Sequence, residues 1–220
     1  NYPYSTLRKF FERRLETRTL STADALVTIS SPLAHKLTTL HMGKHVCSIT
    51  NGFDPERMSE GKVDLTPKFT ITYTGQIYTK QNTEKLLVAM RDLISEGALD
   101  RKDVEVRIFG PSNEQIQKQA VKYRLTDVIM QYGIVPREVC FKKQRESQVL
   151  WQITWEDPQE KGAYSGKIFE YLGAHRPILA TGGFGSDVVE KLIEETNSGL
   201  YCPTVEDVKH ALKELYSEYR

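Results

Sequence analysis

The run Tyr164-Ser165-Gly166-Lys167-Ile168-Phe169-Glu170-Tyr171-Leu172 holds residue types whose order can seat an anion. Ser165 and Gly166 have the character of a helix opening, where unpaired amide groups and the helix dipole favour negative charge, and Lys167 adds an ammonium beside them. A diphosphate fits such a seat. Glu170 stands three residues beyond Lys167, about one turn, so the two share a helix face. Its carboxylate can accept hydrogen bonds from ribose hydroxyls next to the phosphates. The same spacing also fits a surface Lys–Glu pair on an ordinary helix, and the residues taken alone leave both readings open.

A seat of this kind needs strands to present it. From Phe69 onward, apolar runs of strand length recur at Phe69 to Thr74, Val104 to Phe109, Val128 to Tyr132, Val149 to Thr154, Ile178 to Ala180 and Leu200 to Tyr201. Helical patterns separate nearly all of them, at about Glu84 to Ser95, Asn113 to Tyr123, Arg137 to Glu146, Lys167 to Ala174, Ser186 to Glu195 and Val205 to Tyr219. Alternation of this kind forces right-handed crossovers, and hence an α/β fold with a doubly wound, Rossmann-like parallel sheet. Ligands of such sheets bind where loops leave the carboxyl ends of the strands. Three loops there open on glycine, at Gly75-Gln76, Gly110-Pro111 and Gly133-Ile134-Val135. Each glycine lets backbone approach a ligand, although glycine also ends strands wherever a turn needs it.

The stretch before Phe69 is organised differently. Leu7, Phe10, Phe11 and Leu15 fall at helical spacing among Arg8, Lys9, Arg13, Arg14 and Arg18, which predicts an amphipathic helix over residues 5–20. A solvated face on a helix packed against a domain is the favoured reading, and attachment to anionic lipid is the other. Ala25 to Ile29 reads as a strand and Ser30-Ser31-Pro32 as the start of a helix through Leu40, followed by a strand from Val46 to Ile49. Thr50-Asn51-Gly52-Phe53-Asp54-Pro55 is dense in turn residues and reads as a hinge. The expected division is residues 1–49, a linker over 50–66, a ligand-binding domain over 67–203 and a final helix over 204–220.

Composition removes several classes. Thirty basic and twenty-nine acidic side chains among 220 residues leave a net charge of +1, without the field that recruits nucleic acid. Cys47, Cys140 and Cys202 are far apart and His35, His41, His45, His175 and His210 show no ligand spacing, so neither a disulfide framework nor a metal site is expected. No apolar run approaches the roughly 18 residues of a membrane span. Asn1 follows no signal-peptide pattern, and the chain reads as part of a longer protein. A reducing cytosol is the expected compartment. Thr181-Gly182-Gly183-Phe184-Gly185-Ser186-Asp187 reads as a flexible loop at the cleft edge, because Val188 stands where a dinucleotide fingerprint needs its third glycine. Trp151 reads as core, whereas Trp155 and Tyr164 could stack on a sugar or base.

The run Gly166-Lys167-Ile168-Phe169-Glu170-Tyr171-Leu172, with Arg176-Pro177-Ile178-Leu179 after it, resembles the hallmark segment of glycosyltransferase family 4. These are retaining enzymes of the GT-B fold that use sugar nucleotides. Asn51-Gly52-Phe53-Asp54 resembles the family's interdomain linker, and Ala23-Asp24-Ala25-Leu26-Val27-Thr28-Ile29-Ser30 the end of its acceptor domain. Gly75 and the helix with Leu86, Leu87 and Ala89 resemble the start of its donor domain, and Val135-Pro136-Arg137-Glu138 the loop near the base. The family frames its site with two glutamates eight positions apart, the second on ribose and the first on the donor sugar. Glu170 matches the second; Gly162 stands at the first, and neither Glu160 nor Glu156 has the spacing. Gln76 replaces the family's phosphate-binding arginine, and Lys80 falls near its usual lysine.

The resemblance implies the donor-binding half of a divergent member, metal-independent and without a cofactor beyond its sugar-nucleotide donor. Lys80 and Lys167 would stabilise the departing diphosphate. Gly75, Gln76, Gly110, Pro111, Ile134, Val135, Ser165, Gly166, Lys167 and Glu170 would bind the donor. The acceptor would be a glycan or lipid-linked saccharide, and a missing N-terminal domain would supply the facing wall. The family's habits and the basic first helix also suggest peripheral contact with the inner membrane face. A sugar-nucleotide epimerase on the same fold and a non-catalytic nucleotide-binding or interaction module are the alternatives.

Overall fold

The computed structural model describes residues 5–58, 61–78 and 80–220. The chain divides into two units, one of Asn1–Asn51 with Gly162–Tyr164 and one of Gly52–Lys161 with Ser165–Arg220. The smaller unit runs α1 (Thr6–Ser21), β1 (Ala25–Thr28), α2 (Ser31–Leu40) and β2 (His45–Ser48), with β1 and β2 paired in parallel. Ser30 starts α2 by accepting from the Leu33 amide at 3.4 Å, with Pro32 in the first turn. The expected amphipathic helix is corrected here, because α1 buries none of its residues and leaves Leu7, Phe10, Phe11 and Leu15 between 59% and 68% exposed. At about 100° per residue, Arg14 and Arg18 fall inside the arc of those apolar side chains and break the stripe. No helix among the described residues is long and apolar enough to cross a membrane.

The larger unit forms the doubly wound parallel sheet expected from the alternation. Its strands are β3 (Phe69–Thr74), β4 (Val104–Phe109), β5 (Ile129–Gly133), β6 (Val149–Thr154), β7 (Ile178–Gly182) and β8 (Gly199–Cys202), in the order β5-β4-β3-β6-β7-β8. The helices are α3 (Pro55–Met58), α4 (Glu84–Ser95), α5 (Glu114–Lys122), α6 (Arg137–Arg145), α7 (Gly166–Ala174), α8 (Val188–Thr196) and α9 (Val205–Tyr219). On one face Phe69, Ile71 and Tyr73 join Leu86, Met90, Ile116, Trp151, Val208 and Leu212 in the main apolar core. Short α3 lies in the stretch read as a hinge. Phe53, in the same stretch, packs so closely on α7 that a Cβ at Gly173 would stand 2.6 Å from its ring.

The opposite face of β3 carries hydroxyls instead of hydrocarbon, and all are buried. Thr70 is held by Gln148, Thr72 by Ser147 and Arg107, and Thr74 by Gln144. Buried polar groups must be partnered, so these bonds fix where α6 and the start of β6 sit. Arg107 anchors the arrangement. Its guanidinium is nearly enclosed, meets Glu146 at 2.8 Å and donates to the Lys143 carbonyl at the end of α6. Lys143 also pairs with Glu146 at 2.8 Å.

Between β3 and β6 the ladder holds only Ile71↔Val149 and Thr72↔Leu150. Beyond that point the strands part, and side chains satisfy the freed backbone groups. The Thr74 amide donates to the Tyr171 hydroxyl at 3.1 Å, and the Ile153 carbonyl accepts from Gln81 at 3.1 Å. The strand order reverses at this parallel pair, with β4 and β5 added on one side and β7 and β8 on the other, so their carboxyl ends form the crevice where open α/β sheets bind ligands.

Removing Glu146 would strand a buried guanidinium, a change that costs on the order of 3 kcal/mol. Urea unfolding of Glu146→Ala is expected to show that loss, and a loss below about 1 kcal/mol would mean that Arg107 is not anchored by this pair.

Candidate functional site

Glycine is required where β3 ends. Gly75 has φ +111°, and a Cβ there would lie 2.8 Å from Lys167 Cε and 3.2 Å from its Nζ. Gly75 donates to the Phe109 carbonyl at 2.7 Å, and a Cβ on Gly110 would overlap the Gly75 carbonyl oxygen. The two strand ends therefore touch through bare backbone, and the Lys167 side chain lies against the first of them. Its ammonium is 5.3 Å from the centre of the Tyr73 ring. Burial pushes the Lys167 pKa below the ordinary lysine value, while the Glu170 carboxylate opposes that shift. Among the described residues Lys167 has no hydrogen-bond or ion-pair partner, which leaves a half-buried cation at the crevice with the Glu170 field and the Tyr73 ring as its compensation.

Lys167 is the second residue of α7. Ser165 precedes the helix, but its hydroxyl donates to Gln152 at 3.2 Å and caps no amide. The first turn of α7 therefore has no side-chain cap, and of its amides Ile168 donates to the Ser165 carbonyl at 3.3 Å. Thr154, on the same face of β6 as Gln152 by strand alternation, carries one of two buried side-chain atoms without a partner among the described residues. The other is Gln144 Oε1. Both flank α7, one at its head and one beside Glu170.

Glu170 is not free. Arg137, the first residue of α6, reaches its Oε1 at 2.8 Å, and Gln144 lies 3.4 Å from Oε2. A carboxylate has roughly four acceptor positions, so capacity remains for two further hydroxyls. Arg137 belongs to the Val135-Pro136-Arg137-Glu138 loop noticed in the sequence, but nothing there linked it to Glu170. Gln144 had no sequence signal, because only the fold sets this glutamine, next to last in α6, between Thr74 and Glu170.

The structure thus brings together Gly75, Gly110, Ser165, Gly166, Lys167 and Glu170. Gln76, Pro111, Ile134 and Val135 lie in loops at the same edge, with Ile134 79% exposed, while the Gln76 carbonyl accepts from Tyr73. Lys80 is exposed in the loop after β3 and makes no hydrogen bond or ion pair among the described residues. The loop expected to be flexible is pinned. Asp187 caps α8 through the Val189 and Glu190 amides and accepts from Tyr201 at 2.5 Å, and the Tyr201 hydroxyl also accepts from Gly185.

Gly162, at the position of the family's first glutamate, belongs to the smaller unit. Its carbonyl accepts from Ser30 at 2.6 Å, and a Cβ there would lie within 3.0 Å of Ser30 and Leu33. A side chain at 162 would press on side chains in the first turn of α2, which would have to give by a few tenths of an ångström.

No family model matches the chain, and no curated protein does. Solved structures do. HepE of Anabaena, crystallised in complex with UDP and glucose, superposes with a TM-score of 0.71 at 12% identity, over 98% of this chain and 59% of that one. WaaG, a glycosyltransferase involved in lipopolysaccharide biosynthesis, gives 0.70 at 12% identity, over 98% and 61%. Sucrose-phosphate synthase from Thermosynechococcus elongatus gives 0.68 at 14% identity, over 94% and 53%. The likeness shows the fold. The larger unit has the Rossmann-like α/β form of the GT-B architecture, and the chain spans about three fifths of the first two proteins.

The electrostatics of Lys167 can be read directly. In carbon-13 lysine spectra followed against pH, one ammonium should titrate below the others and vanish in Lys167→Arg. In Glu170→Gln it should titrate lower still, because the opposing carboxylate field is gone. A Lys167 signal at the ordinary lysine value would contradict the packing against Gly75.

Proposed function

We propose that this chain carries the donor site of a nucleotide-sugar-dependent glycosyltransferase, as the donor-binding half of a divergent member of glycosyltransferase family 4. One observation carries the reading. A half-buried ammonium without a hydrogen-bond or ion-pair partner among the described residues lies at the head of α7, which no side chain caps, against bare backbone at the switch point of the sheet, one turn from a carboxylate. A diphosphate satisfies the amides and the ammonium together, since both favour negative charge at one place. Glu170 then accepts from the ribose hydroxyls while Arg137 holds its other oxygen. Lys80, from the exposed loop, adds charge as the leaving diphosphate develops it, which is preorganised electrostatic stabilisation.

The likeness to HepE, crystallised with UDP and glucose, supports this reading. In it, residues 1–49 are the end of an acceptor domain, 50–66 the linker, 67–203 the donor domain and 204–220 its closing helix. The acceptor is a glycan or a lipid-linked saccharide, met mostly by residues outside this chain.

Calorimetry with UDP, GDP and ADP and their sugars tests the site. One nucleotide should bind, and Lys167→Ala should weaken it roughly 10- to 100-fold, the range for hydrogen bonds to charged groups. Glu170→Ala should weaken it by about a factor of ten. Equal affinities in all three proteins, or no binding at all, would end the proposal. The pH dependence follows from the lowered Lys167 pKa. The cation must be protonated to hold the anion, so affinity should fall as pH rises through that pKa, and Lys167→Arg should remove the fall.

A further inference from the structure

Two aromatic rings at the crevice take no part in the site described so far. Tyr78, three residues after Gly75, is 49% exposed, and Trp155 is the first residue after β6. Their ring centres are 5.8 Å apart with the planes inclined at 36°, so the pair bridges the two loops that leave the parted strands. Three further links hold those loops together. Gln81, itself buried, accepts from the Tyr78 amide at 3.0 Å and donates to the Ile153 carbonyl at 3.1 Å. Asn82 donates to Glu156 at 3.2 Å, and Lys85 pairs with Glu156 at 2.6 Å. A side chain held by its neighbours loses less entropy when a ligand stacks on it.

We propose that Tyr78 and Trp155 form a platform for the apolar face of the donor's hexose. The inference rests on the donor-site reading above and adds which residues meet the sugar. The sheet order supplies the direction. Arg137 follows β5 and ties Glu170, the ribose group, toward that side; Gly75 and Lys167 hold the diphosphate at β3; the next strand is β6, with Trp155 after it. A nucleotide laid in that sense places its sugar over the gap between β3 and β6. Glu156, the acidic group beside Trp155, is held by Lys85 and Asn82, so ring faces are what these loops offer a pyranose. Aromatic faces pair with the C–H face of a sugar, while its hydroxyls stay solvated.

The chain has two tryptophans, and Trp151 is fully buried with its indole N–H on Thr181 at 2.7 Å, so emission changes on sugar binding report on Trp155. The intact protein is titrated with UDP, UDP-glucose, GDP, GDP-mannose and free glucose, with Trp155→Phe as the blank. The expected result is an emission change with a hexose nucleotide that exceeds its bare diphosphate and is absent with free glucose. Trp155→Ala should lower the affinity of that hexose nucleotide about 3- to 10-fold, as loss of ring stacking implies. Its affinity for the bare diphosphate should be unchanged, which also shows that the variant folds. Trp155→Phe should retain most of the hexose contribution. If the diphosphate binds and depends on Glu170 while no hexose alters Trp155 emission, the platform is wrong and the donor site stands. The platform is also wrong if Trp155→Ala weakens both ligands equally, or if free glucose alone shifts the emission. Failure of every nucleotide to bind removes both proposals.

Discussion

The structure depends on the place where β3 and β6 stop pairing. A parallel ladder that continued to the strand ends would close the sheet and leave no crevice, whereas a ladder that stops early exposes backbone groups that must find other partners. Here side chains meet that demand. The Tyr171 hydroxyl takes the Thr74 amide, and the Gln81 amide takes the Ile153 carbonyl. Tyr171 lies on α7, so the substitute for the missing ladder also fixes the helix that carries Lys167 and Glu170. Gln81 lies in the loop after β3, so the same opening sets the approach of Tyr78 to Trp155.

The hydroxyl face of β3 has the second role. A hydrocarbon face would let α6 and α7 slide by a turn at small cost, because dispersion is not directional. Thr70, Thr72 and Thr74 allow one register, since each hydroxyl must meet a particular glutamine, serine or arginine. Gln144 reaches both Thr74 and Glu170, so the register of α6 is passed directly to the carboxylate of the site. The Arg107–Glu146 pair holds the same C-terminal end of that helix. A polar interior of this kind specifies position where an apolar one would chiefly add stability.

Much of this was legible in the sequence and some of it could not be. β3, β4, β6, α4 and α9 have the bounds that their residue patterns predict, because apolar periodicity and turn residues act locally. The grouping of Gly75, Gly110 and Lys167 was legible once the fold class was assigned, since strand-end loops must converge. The pairing of Arg137 with Glu170 was not, because it depends on the angle between two helices. The Phe-Thr-Ile-Thr-Tyr-Thr alternation of β3 is, by periodicity, that of a half-exposed strand, yet both faces are buried, and only the tertiary partners Gln148, Ser147 and Gln144 account for the threonines. In α1 the spacing of Leu7, Phe10, Phe11 and Leu15 was read correctly as helical, but the intervening arginines keep that helix from presenting an apolar face.

Position 162 is tightly packed. A glutamate there would project a side chain into Ser30 and Leu33, in a segment whose carbonyl is already committed to Ser30. A side chain at 162 would therefore require Ser30, Pro32 and Leu33 to shift by a few tenths of an ångström. At the crevice, Lys167 has no ion-pair partner among the described residues, Glu170 is shared with Arg137 and Glu156 is bound by Lys85 and Asn82. A group that grips by hydrogen bonds to an acidic side chain finds its acceptor at Glu170. A ring that presents C–H bonds finds its surface at Tyr78 and Trp155, which divides the crevice by chemistry into a polar half toward β5 and an aromatic half over the parted strands.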